Sequence, residues 1–223
     1  MRLIVDELEQ VTGGAAVVDI GSGDGIGGDV GRLHAIRAAA SELWGVEPDP
    51  SVPEPPGVFD EVRHATIEVA ELPSGHFDLA YSFMVMEHVD DPVTFLRAVR
   101  AGLKSGGSYM GATVNARHYF ARVARGARAL GVDERLLRVV RKSADVERYH
   151  YPVRYAFNSI PVIDRCAKMT GFAAPEYVFL EEEGPADYMR GPLRPALRAL
   201  QWKRSVLRRP ESLLTMFVRM RAL

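Results

Sequence analysis

Val17-Val-Asp-Ile-Gly-Ser-Gly-Asp-Gly-Ile-Gly-Gly28 is the stretch on which the reading of this chain turns. Its first four residues complete an apolar run that suits a strand buried in the middle of a parallel sheet. The run ends abruptly in glycines at 21, 23 and 25, followed by helix-compatible sequence. Glycines at that spacing let the backbone coil tightly and present its N–H and C=O groups to a ligand without an intervening Cβ. Strand, glycine turn and helix together form the usual nucleotide site of an open parallel sheet.

Working outward, the remaining elements alternate. Strands are expected at Ala15–Ile20, Glu42–Val46, His64–Val69, Phe77–Phe83 and Ser108–Val114. Helical periodicity runs from Ile26 to about Ala40, and Asp91-Pro92 opens a helix through Leu103 with proline in its first turn. Prolines between Val52 and Pro56 make the second crossover short or irregular. Lys104-Ser-Gly-Gly107 reads as a turn, Asn158 as the cap of a helix to Met169, and Glu176–Leu180 and Leu213–Met220 as closing strands. The expected fold is α/β: a Rossmann-like, doubly wound, mostly parallel seven-stranded sheet with a small helical lid insertion. One domain over 1–223 is expected, with a cofactor-binding half at 1–114, a helical lid at 115–155 and a C-terminal half at 156–223 that completes the sheet.

The formal net charge of −1 conceals a division of the chain. Residues 1–112 hold 7 of the 28 Lys/Arg and 18 of the 29 Asp/Glu, which leaves 21 basic and 11 acidic residues for the rest. An acidic half carrying the glycine turn favours a neutral or cationic ligand over a polyphosphate. The basic half fits an anionic substrate, a membrane surface or nucleic acid, or simple attraction to the acidic half. Met189–Leu223 holds nine Lys/Arg and one acid, interleaved with Leu193, Leu197, Leu200 and Trp202. A basic amphipathic helix there could make peripheral membrane contact or pack on the sheet. No nucleic-acid module is recognisable, so no nucleic-acid partner is expected. Acids inside the apolar N-terminal stretch argue against a secretory signal, and the single Cys166 suits a reducing cytoplasm.

Beyond the loop, further markers follow in order: Glu47 closing strand two, Glu68-Val-Ala-Glu71-Leu-Pro73, Phe77-Asp-Leu79 with Met86-Glu-His-Val89, and Leu103-Lys-Ser-Gly-Gly107. Together with Asp19-x-Gly21-x-Gly23-x-Gly25 they resemble class I S-adenosylmethionine-dependent methyltransferases of the small-molecule type. The resemblance implies S-adenosylmethionine as cofactor, held by Asp19, Gly21, Ser22, Gly23, Gly25, Glu47, Glu68, Val69, Ser82 and Phe83. Asp19 would serve the cationic amino-acid end, with the Gly21 and Ser82 carbonyls accepting from its ammonium. Glu47 would bind both ribose hydroxyls, Glu68 the adenine amino group, and the Val69 N–H the ring. Carboxylates suit a ligand that carries a sulfonium, an ammonium and a diol but no phosphate.

Methyl transfer is a direct displacement that depends mainly on alignment. A general base is needed only where the acceptor must shed a proton. His88, just past strand four, is the first candidate for that role. His118, Tyr119, His150 and Tyr151 of the insertion are the others, because Asn115-Ala-Arg-His-Tyr-Phe120 and Tyr149-His-Tyr-Pro-Val-Arg-Tyr155 resemble segments that cover the transfer pocket in one branch of these enzymes. No metal site is assigned. A small-molecule acceptor is expected, anionic in one reading, with an oxygen nucleophile preferred over nitrogen. The oligomeric state stays open, a homodimer included. The alternatives are an inactive methyltransferase-like partner subunit, a methyltransferase acting on a lipid or membrane-bound anionic substrate, and an NAD-dependent dehydrogenase. For the last, Gly23-Asp-Gly-Ile-Gly-Gly28 fits G-x-G-x-x-G, but Gly21 already occupies the place directly after the strand where that fingerprint should begin.

Overall fold

A computed structural model describes residues 14–23, 25–26, 29–118, 151–180, 199, 202 and 213–223. Its strands are β1 (Ala16–Ile20), β2 (Glu42–Val46), β3 (Glu61–Arg63), β4 (Phe77–Phe83), β5 (Leu103–Val114), β6 (Glu176–Leu180) and β7 (Thr215–Arg221). Its helices are α1 (Val30–Ala39), α2 (Pro92–Gly102) and α3 (Ile160–Met169), with a 3-10 turn at Met86–His88. The strands form one seven-stranded sheet in the order β3-β2-β1-β4-β5-β7-β6. Pairs β1–β2, β1–β4, β2–β3 and β4–β5 all run parallel. The order reverses direction between β1 and β4, and ligands of such sheets bind outside the strands' C-terminal ends at that point.

Every residue of β1 is buried, as a strand covered on both faces requires. α1 places Leu33 and Ile36 in the core, and α2 places Phe95, Leu96 and Val99 there. Phe95 is 1% exposed and meets Tyr109 and Phe157 edge to face, with ring centroids 6.0 and 5.8 Å apart. Phe95→Ala should therefore cost about 3–5 kcal/mol in a urea melt, the usual penalty for emptying a buried aromatic site. A loss under about 1 kcal/mol would show that the aromatic cluster does not hold α2 to the sheet.

Four sequence expectations are corrected. The third strand is Glu61–Arg63, not His64–Val69. Asp60 sets the register: its N–H donates to Leu43 O at 2.8 Å and its carboxylate accepts from Leu43 N at 2.8 Å. Pairing then runs from Trp44↔Glu61 to Val46↔Arg63, and β2 stops there before Pro48. His64–Val69 therefore has no strand left to pair with, whatever its β-branched content. α1 begins at Val30 instead of Ile26, because the Asp29 side chain caps it by accepting from Gly31 N at 3.0 Å. Lys104–Gly107 lies inside β5 as a bulge, where the partner of β4 jumps from Leu103 at Phe77 to Ser108 at Leu79. In addition, Ser159, not Asn158, occupies the cap position of α3. No helix among the described residues is long and apolar enough to cross a membrane.

By its contacts the chain divides into two units: Met1–Thr113 with Arg154–Tyr177 and Phe217–Leu223, and Val114–Val153 with Val178–Met216. The first carries the glycine turn and nearly all of the parallel sheet. In the second, buried Asn115 organises the chain after β5. Its N–H and Nδ2 donate to Leu214 O and Leu213 O at 2.8 and 2.9 Å, and its Oδ1 accepts from Arg117 N at 2.9 Å. Most of the expected lid, 119–150, lies outside the described residues, as does most of the basic stretch 189–212.

Candidate functional site

Five parallel strands point their C-terminal ends at one edge of the sheet, and the expected cofactor residues of the sheet unit gather there. After Ile20 the chain turns through Gly21, Gly23 and Gly25, with φ of +73°, +49° and +112°, a region costly for residues that carry a Cβ. Gly21 N–H donates to Val46 O at 2.7 Å, tying the turn to the end of β2. A Cβ on Gly21 would lie 2.4 Å from Val85 Cγ2, so the turn also packs closely on the loop after β4.

Glu47 follows β2 and is buried. Its Oε2 accepts from Gly23 N at 3.0 Å and its Oε1 from Asp49 N at 3.1 Å. Each oxygen keeps a second acceptor position, so the carboxylate is held in place while it can still receive hydroxyls. Asp19, the third residue before Ser22, is only 2% exposed. Burial first, opposed by Tyr81 and reinforced by the charge of Glu47, pushes its carboxyl up from 3.8 to about 7. Asp19 Oδ2 and Tyr81 Oη are buried without a hydrogen-bond partner among the described residues. Buried polar atoms are nearly always satisfied, so this orphaned acid at a glycine turn fits a ligand with a cationic donor.

Ser82 is buried, and its hydroxyl pairs with Tyr109 Oη at 2.7 Å, joining β4 to β5. Phe83 is half-buried at the end of β4. Glu68 and Val69 sit in a turn after β3, both exposed, and the Val69 N–H donates to Thr66 O at 3.0 Å. Glu68 is thus the more available of the two to a base. The acidic side chains Asp19, Glu47 and Glu68 supply the charge along this edge.

His88 is half-buried on the 3-10 turn beyond β4, with its N–H on Val85 O at 2.8 Å. His118, fully buried, and Tyr151, 43% exposed, belong to the second unit. Tyr119 and His150 lie outside the described residues. The structure therefore groups the cofactor candidates with His88 in one unit and leaves His118 and Tyr151 in the other.

Two residues of this edge were not singled out from sequence. Glu87 is 4% exposed, and its Oε2 accepts from Thr113 Oγ1 at 2.7 Å. Its backbone carbonyl accepts from Arg154 N and Tyr155 N at 2.7 and 3.1 Å, and Arg154 pairs with Asp90 at 2.8 Å. Burial pushes the Glu87 carboxyl up, against the opposing Thr113 bond. The other is Tyr81, whose place beside Asp19 comes from the β1–β4 register Asp19↔Tyr81. Only strand alignment, not a motif, could have pointed to it.

A family model described as a methyltransferase domain matches residues 2–165. The chain is 34% identical over 104 residues to a ubiquinone biosynthesis O-methyltransferase of Ruegeria sp. (strain TM1040), covering 46% of this chain and 42% of that one. A ubiquinone biosynthesis O-methyltransferase of Methylobacterium sp. (strain 4-46) is 33% identical over 109 residues, with the same 46% and 42% coverage. The chain thus spans less than half the length of these curated relatives. Among solved structures, a possible histamine N-methyltransferase of Thermotoga maritima aligns over 99% of this chain and 89% of its own, with a TM-score of 0.58 and 17% identity. Geranyl diphosphate C-methyltransferase of Streptomyces coelicolor A3(2), solved with Mg2+, geranyl diphosphate and S-adenosyl-L-homocysteine, aligns over 100% and 77%, with a TM-score of 0.63 and 13% identity. At these identities the structures share the fold; their names cover both nitrogen and carbon acceptors.

Proposed function

The chain belongs to the methyltransferase domain family, a class I S-adenosylmethionine-dependent methyltransferase by family and fold, and from that premise we propose that it methylates a small-molecule acceptor through an oxygen nucleophile. One observation carries the cofactor assignment: two buried carboxylates, Asp19 and Glu47, end adjacent parallel strands around a glycine turn. When bound, the cofactor supplies a methyl group on a cationic sulfur. This chain's own part is to bind and orient. Asp19 holds the ammonium end, Glu47 the ribose diol, Glu68 the adenine amino group, and the Gly21–Gly25 backbone the space between them.

The preference for oxygen rests on the O-methyltransferase relatives and on His88, which can take a proton from a hydroxyl without a change of charge state elsewhere. The excess of basic residues after residue 112 favours an anionic acceptor. A buried, unpaired Cys166 thiol is consistent with a reducing, cytoplasmic setting.

Calorimetry with S-adenosylhomocysteine and with NAD tests the cofactor. The expected outcome is saturable heat with the first and none with the second, and the reverse would overturn the proposal. Labelled methyl transfer to a panel of phenols, carboxylates and amines then tests the acceptor, with oxygen products expected; amine products alone would replace oxygen by nitrogen. Glu47→Ala should weaken S-adenosylhomocysteine binding about 10- to 100-fold, the loss expected when a charged hydrogen-bond acceptor is removed. An unchanged Kd would exclude Glu47 from the site.

A further inference from the structure

The Asp19 carboxyl has neighbours that its role as a ligand residue does not explain. β1 and β4 pair with Asp19 directly opposite Tyr81, and residues paired across parallel strands project from the same face. On the other side, β2 places Gly45 opposite Asp19. A Cβ there would lie 3.2 Å from Ser22 Oγ and from the Phe59 ring, so the position has no room for a polar side chain. Tyr81 is 1% exposed, yet its hydroxyl lacks a hydrogen-bond partner among the described residues, as does Asp19 Oδ2. Two unsatisfied buried polar groups side by side are unusual. A phenol donates readily to a carboxylate and gains little from a neutral acid. The site therefore has a donor in reserve for the ionised form of Asp19.

We infer that Tyr81 is a further positioning residue of the cofactor site, its phenol holding Asp19 in the ionised form that meets the ligand's ammonium group. The inference rests on the cofactor assignment above. The proton balance is simple. In the free protein the buried carboxyl retains its proton over part of the neutral range. On binding, that proton leaves to the buffer, the carboxylate pairs with the ammonium, and the phenol keeps its own proton while donating to Oδ2. Tyr81 from β4 and Glu47 just after β2 are the titratable groups bearing on Asp19 among the described residues, Tyr81 favouring the ionised form and Glu47 the neutral one. Burial and the Asp19 charge raise the Tyr81 phenol well above its ordinary value, so it stays a donor throughout.

Calorimetric titration of the full chain with S-adenosylhomocysteine, in buffers of contrasting ionisation enthalpy between pH 6 and 8.5, counts the protons released. With Asp19 at about 7, release of roughly half a proton per ligand is expected at pH 7, falling toward zero by pH 8.5. Tyr81→Phe removes only the buried hydroxyl, so packing is kept. It should move the release curve to higher pH and weaken binding at pH 7 about tenfold, with the gap closing by pH 8.5. A merely structural role would weaken binding equally at all pH values. Binding with no proton release in wild type, or a Tyr81→Phe curve that overlays wild type, overturns the inference and leaves the cofactor assignment standing. No binding at any pH overturns both. The wild-type proton count reads the inference even if the variant fails to fold.

Discussion

Asp19→Asn is expected to make the ligand-free protein more stable at pH 8 while reducing its affinity for S-adenosylhomocysteine by more than about a hundredfold, as loss of a buried charge partner implies. The two effects have one origin. The folded carboxyl sits at about 7, above its unfolded value of 3.8. Between those values the native chain holds a proton that the unfolded chain has released. That proton's contribution is fully present below about pH 3.8 and is lost as pH rises through about 7. Above pH 7 the native site carries a buried charge that Tyr81 offsets only in part, at a cost of order 2–4 kcal/mol relative to the acid form.

Asparagine carries no such charge, so its stability should not show this decline with pH. Thermal melts between pH 5 and 9 check it. Wild type should lose several degrees across the range, since ~1 kcal/mol moves Tm by about 2–4 °C at this size, and the variant should stay level and higher at pH 8. Equal or lower stability of the variant at pH 8 would mean that the acid is compensated in the free protein. Retained affinity would remove Asp19 from the ligand site.

Gly21→Ala should be the most damaging single change in the turn. Two costs add at this position. A non-glycine residue at φ +73° carries backbone strain of about 1–3 kcal/mol. Its Cβ would also stand 2.4 Å from Val85 Cγ2, on a β-branched side chain with little rotamer freedom; overpacking of that kind costs about 1–3 kcal/mol. Two comparisons separate the costs. Gly57 has φ +71° with nothing within 4 Å of a Cβ, so Gly57→Ala pays the strain alone. Val85→Ala in the Gly21→Ala background should recover the overpacking part and leave the strain. Urea melts of wild type, Gly21→Ala, Val85→Ala and the double variant give the cycle. A Gly21→Ala loss no larger than that of Gly57→Ala would show that the contact with Val85 is yielding and does not hold the two loops together.

The glycine turn was legible because its requirement is local. Glycines at 21, 23 and 25 permit the positive φ found there, and the short apolar run before them suits a buried strand. The place of Glu47 was equally legible, since β2 stops at Val46 and Pro48 follows directly after Glu47. His64–Val69 was misread for the opposite reason. Its β-branched residues favour extended backbone, but a strand needs a neighbour, and β2 had already stopped. The bulge at Lys104–Gly107 follows the same logic: turn residues were recognised, but the continuation of pairing with β4 on both sides of them was not.

The buried place of Asp19 near the end of β1, the glycine turn after it and the acidic residues nearby were legible in the sequence, because each depends on residue chemistry within a few positions. Tyr81 beside Asp19, and Thr113 on Glu87, were decided by the folded sheet. These pairs lie 62 and 26 residues apart: the first meets through the β1–β4 register, the second where the turn after β4 passes the end of β5. Register is set by the sum of many backbone pairings, and no single residue announces it.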